Sequence, residues 1–118
     1  MGQENSLAER LQRLKNRAQQ QPEDPFPLYA IGMELEKCGE WDEAELAWQT
    51  LLRQHPGYVP ALQRLAGLLF NRNRLAEAQT CVREALRCAE PDSDDHTRQY
   101  LHQLLHQIED ELNPESGL

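Results

Sequence analysis

The feature that most constrains this chain is a repeat of fixed length. Leu28 is answered by Leu62, Ile31 by Leu65, Gly32 by Ala66 and Leu35 by Leu69. Further on, Trp41 is answered by Leu75, Ala44 by Ala78, Trp48 by Val82, Leu51 by Ala85 and Leu52 by Leu86. Every pair lies 34 residues apart, as do Pro22 and Pro56, while Pro91 slips to 35. Each period holds two stretches of helical spacing. A unit of this kind buries its apolar stripe only against neighbouring units, so the period implies a helical solenoid.

Residue usage agrees. Leu, Ala, Glu, Gln and Arg dominate, and the β-branched residues that strands need are scarce. The 118 residues suit one domain with a modest core. Breakers divide the chain: Pro22, Pro25 and Pro27; Gly39; Pro56-Gly57 with Pro60; Asn71 to Asn73; Pro91 with a polar run; and Pro114. Six helical segments lie between them. Ser6 with Glu9 forms a capping box for the first, whose stripe is Leu7, Leu11, Leu14 and Ala18, a single buried face. Gly39 is expected to close the second. Asp42 with Glu45 is expected to cap the third, with Trp41 stapled onto Leu46. The sixth runs from about His96 to Leu112 and carries Leu101, Leu104, Leu105, Ile108 and Leu112.

The net charge of −8 argues against sequence-independent nucleic-acid binding and against an anionic membrane surface. Cys38, Cys81 and Cys88 are odd in number and form no C-x-x-C, which fits a reducing, cytoplasmic setting and small packing roles. Cys81 and Cys88 are about 10 Å apart along one helix and cannot bridge. MGQENS has no apolar run, so no signal peptide is expected, and no segment approaches a membrane span. It fits the myristoylation pattern M-G-x-x-x-S, but no second membrane signal accompanies it.

On these residues the chain resembles the tetratricopeptide repeat family, in particular small bacterial two-repeat members. The family pattern W-x2-L-G-x2-Y, A-x3-F, P is matched by Leu28-x2-Ile31-Gly32-x2-Leu35, Ala44-x3-Trp48 and Pro56. One period later it is matched by Leu62-x2-Leu65-Ala66-x2-Leu69, then Ala78-x3-Val82. The resemblance implies an all-α antiparallel helix-turn-helix solenoid of about six helices in one domain. Its parts would be an N-terminal capping helix over 6–21, a first repeat over 25–58 and a second over 59–92. A C-terminal capping helix over 95–113 and a tail over 114–118 would complete it. The small residues Gly32 with Ala44, and Ala66 with Ala78, would let paired helices cross closely. Both tryptophans would be core, Trp41 at the start of its helix and Trp48 at the large aromatic position.

Proteins of this family typically bind peptides on a concave face lined by first helices. In that register the groove would carry Phe26, Tyr29, Met33, Glu36 and Lys37 in repeat one. Repeat two would add Pro60, Gln63, Gly67, Phe70 and Asn71, and the last helix His102, His106 and Glu109. The mixture suits an extended or helical peptide with one or two apolar anchors. The clamp with which some members hold a C-terminal carboxylate is not matched, since Tyr29, Met33, Gln63 and Gly67 stand where it needs Lys and Asn. The expectation is therefore a non-catalytic interaction module for a protein or peptide partner, with no cofactor. A self-associating scaffold, such as a homodimer, is the alternative. His102 and His106 have the i,i+4 spacing of a helical zinc pair, but structural zinc takes four ligands and no cysteine pair completes the set, so a metal site is the weaker reading. No phosphate-binding Gly-rich loop or nucleophile elbow occurs.

Overall fold

The computed structural model describes residues 6–89 and 95–117. The MGQENS pattern and Pro91 with its polar run lie largely outside these residues. The described residues form α1 (Leu7–Gln20), α2 (Phe26–Lys37), α3 (Trp41–Gln54), α4 (Val59–Asn71), α5 (Leu75–Cys88), α6 (Asp95–Leu112) and a 3₁₀ turn (Pro114–Gly117), with no strand among them. They fall into two compact units, 1–56 and 57–118.

Local chemistry sets the helix ends. At α1 the Glu9 backbone N–H donates to Ser6 Oγ at 3.1 Å, and the Ser6 N–H donates to Glu9 Oε1 at 3.1 Å. This is the expected capping box. α2 ends in a Schellman closure at Gly39, which takes φ 75°. The Gly39 N–H donates to the Glu36 carbonyl at 3.0 Å and the Glu40 N–H to the Leu35 carbonyl at 2.9 Å. One period later Asn73 takes φ 62° and repeats the closure, with Asn73 N–H on Phe70 and Arg74 N–H on Leu69. Asn is the non-glycine residue best suited to that region.

Because the chain turns so tightly at Gly39, α3 begins earlier than the Asp42 cap predicts. Glu40 is the N-cap, and its carbonyl already accepts from the Ala44 N–H at 2.9 Å. Trp41 is thus the first helical residue. In a helix, positions five apart point about 140° away from each other, so the Trp41–Leu46 staple does not form. Trp41 is 49% exposed and Leu46 61%. The assignment of Trp41 to the core is corrected accordingly, and so is that of Cys38, which is exposed.

In unit one, α2 packs against both α1 and α3. Its core is Pro27, Ile31, Gly32, Leu35, Ala44, Trp48 and Leu51, and α1 contributes no fully buried residue. In unit two, α4, α5 and α6 pack against one another. The buried residues there include Leu62, Leu65, Ala66, Leu69, Ala78, Val82, Ala85, Leu101, Leu104 and Ile108.

Candidate functional site

Trp48 organises unit one. It is fully buried, and its Nε1–H donates to Glu36 Oε2 at 2.7 Å. A buried indole N–H needs such a partner. The Tyr29 ring lies 5.3 Å from the indole at 56°, a tilted aromatic pair. A methyl group added at Gly32 would fall 2.6 Å from the indole ring. The small residue at 32 therefore makes room for the Trp48 ring itself. Of the groove positions expected on α2, Glu36 and Tyr29 are engaged in holding this ring. Phe26 and Lys37 are exposed, and Met33 is half-buried.

In unit two a cleft of about 290 Å³ opens between α4 and α6. Gly67, Phe70 and Asn71 line it from α4, and Tyr100, Gln103, Leu104 and Gln107 from α6. A Cβ at Gly67 would come into ordinary contact with the Tyr100 hydroxyl, at 3.4 Å. Phe70 is half-buried and Tyr100 is 41% exposed. The lining carries three amides, two aromatic rings and no charged group. Side-chain amides both donate and accept, so they can pair with the N–H and C=O groups of an extended backbone. Gln63 is half-buried on α4 but does not line the cleft.

His102 and His106 are both exposed but absent from this cleft, which takes Tyr100, Gln103 and Gln107 instead. Glu109, on the His102 side of the helix, reaches α5 and pairs with Arg83 at 3.3 Å. His106 Nε2 lies 3.5 Å from Asp110 Oδ2. Leu101, Leu104 and Ile108 are buried as expected, whereas Leu105 is half-buried and Leu112 exposed, and each side of the stripe faces a different neighbour. Tyr100, Gln103 and Gln107 are not among the expected groove positions; Tyr100 lies one position before the buried Leu101.

Elsewhere a mainly apolar groove of about 360 Å³ in unit one is lined by Leu11, Leu28, Ile31, Leu35, Leu46 and Ala47, together with Lys15, Glu43 and Thr50. No group of three or more His, Cys, Asp or Glu side chains suited to a metal occurs among the described residues. Burial pushes the Cys88 thiol above its ordinary range, with a hydrogen bond to Glu84 acting the same way. No described helix is long and apolar enough to cross a membrane.

Residues 37–105 match the tetratricopeptide repeat family. Comparison with curated proteins returns no match. Among solved structures, the chain is similar to a tetratricopeptide repeat domain protein from Salinibacter ruber, with a TM-score of 0.66 and 24% identity over 75% of this chain and 89% of that one. It is also similar to MamA, residues 41 to the end, from Desulfovibrio magneticus RS-1, with a TM-score of 0.68 and 24% identity. That alignment covers 92% of this chain and 59% of the other. At these identities the likeness is one of fold. With the family match spanning more than half of the sequence and two helix pairs in a 34-residue register, the chain belongs to the tetratricopeptide repeat family, an all-α helical-repeat fold that generally serves as a protein-interaction module.

Proposed function

We propose that the protein is a non-catalytic adaptor that captures an extended peptide segment of a partner protein, with the α4–α6 cleft as its principal site. The observation that carries this reading is the uncharged lining of that cleft in a chain of net charge −8. Phe70 and Tyr100 supply aromatic walls for one apolar anchor. Asn71, Gln103 and Gln107 supply amides for the peptide backbone. On unit one, α2 offers the exposed Phe26 and Lys37 and the half-buried Met33 as a separate contact surface, with Tyr29 and Glu36 contributing chiefly through Trp48. Gln63, His102 and His106 belong to the periphery of this reading.

Affinity recovery from the native host tests it. Phe70→Ala with Tyr100→Ala should abolish recovery of the partner while helicity stays unchanged. Gly67→Leu should also block recovery by filling the cleft while Phe70, Asn71, Gln103 and Gln107 stay in place, with helicity checked by circular dichroism. Recovery unchanged in both variants would refute the assignment.

Self-association is the second reading. The apolar groove bordered by Leu46, with Trp41 exposed on the same helix, favours it. Sedimentation at several concentrations decides: a monomer throughout removes this reading.

A further inference from the structure

α1 begins two periods before α5, so their positions correspond. Ala44 and Ala78 correspond to Arg10, Trp48 and Val82 to Leu14, and Leu51 and Ala85 to Arg17. In α3 and α5 all six of these residues are fully buried. That face receives the first helix of the repeat, as the Trp48 ring against Gly32 of α2 shows directly. On α1 the same face is only partly covered: Arg10 and Leu14 are half-buried and Arg17 is exposed. Together with α2 it forms a shelf of about 350 Å³ lined by Arg10, Arg13, Leu14, Arg17, Ala30 and Glu34.

The shelf has a distinct charge. α1 carries four cations against Glu9 alone, in a chain of net charge −8. Arg10 pairs with Glu34 of α2 at 3.2 Å, which fixes one edge. Arg13 and Arg17 lie one turn apart, both exposed, and neither side chain has an ion pair or hydrogen bond among the described residues. Leu14 and Ala30, half-buried, give a small apolar floor between them. We propose that this shelf docks an acidic amphipathic helix of another protein, which occupies the place that a repeat's first helix takes. Its apolar seam would rest on Leu14 and Ala30. Carboxylates four residues apart would meet Arg13 and Arg17, whose planar guanidinium groups suit two-point pairing. A second copy of this chain suits the shelf less well: its α1 is basic, and the buried apolar residues of α2 to α6 are already covered.

Two synthetic helical peptides of about four turns test this. Both carry the same Leu/Ala seam, one flanked by Glu at i,i+4 and the other by Lys. The Glu peptide should bind about tenfold more tightly than the Lys peptide at low salt, and the difference should shrink as salt rises. Arg13→Glu with Arg17→Glu, both on the exposed face, should reverse the preference. Phe70→Ala with Tyr100→Ala should leave it unchanged, which separates this surface from the peptide cleft. Absence of binding, equal binding of the two peptides, or unchanged Glu-peptide affinity in the Arg13→Glu/Arg17→Glu variant would reduce the arginines to a solvated end face. Self-association abolished by that variant would assign the shelf to a second copy. Each of these results overturns the proposal.

Discussion

Two tryptophans seven residues apart on one helix have opposite fates. Trp48 is enclosed by Gly32 and Tyr29 and hydrogen-bonded to Glu36, whereas Trp41 is half exposed at the first turn. Trp48→Ala should therefore cost about 3–5 kcal/mol in chemical denaturation. Trp41→Ala should stay within about 0.5 kcal/mol, as surface changes do. Equal losses would contradict the packing described. A second residue-scale effect depends on pH. The Arg74 guanidinium, bound to both oxygens of Glu77 at 2.7 and 2.9 Å, holds that carboxyl below the usual carboxylate range. Its folded pKa lies below its unfolded one, so the stabilisation is complete above about pH 4–5. It is lost as pH falls through the lowered folded value. The difference in melting temperature between the native protein and Glu77→Gln should close below about pH 4. A gap that persists at lower pH would show another origin.

At the scale of elements, the closures of α2 and α4 explain the even spacing of the repeat. Each uses one left-handed residue, Gly39 or Asn73, and the next helix begins two residues later. Asn73→Ala should destabilise by about 1–2 kcal/mol, because Ala lacks the local hydrogen bonding that lets Asn tolerate φ > 0. Asn73→Gly should be neutral or better. Ser6→Ala, which removes half of the α1 capping box, should cost about 1 kcal/mol. Thermal melts of the three variants check the order, and an Asn73→Gly loss as large as that of Asn73→Ala would count against the closure as its cause.

Across the whole molecule, the two proposed surfaces differ in kind and lie in different units. The α4–α6 cleft is uncharged and amide-lined, and the α1–α2 shelf is cationic. Variants in one should not alter binding at the other, and neither set should change far-UV circular dichroism, since none of Arg13, Arg17, Phe70 or Tyr100 is fully buried. A loss of helicity in any of them would mean that a residue assigned to binding supports the fold.

Helix number, most helix ends and the buried stripe of every repeat helix were legible in the 34-residue period, in Ser6 with Glu9 and in Gly39. These depend on local backbone chemistry and on the angle that each residue makes around its own helix. Which neighbour fills each angle is a property of the packed helices. For that reason only the tertiary structure separated Trp41 from Trp48 and turned Tyr100 rather than His102 toward α4. The same holds for Arg10, Leu14 and Arg17. The sequence by itself determined their register with the buried residues of α3 and α5, and only the packing of α1 on α2 decided that this face lines an open shelf, with Arg17 exposed and Arg10 and Leu14 half-buried.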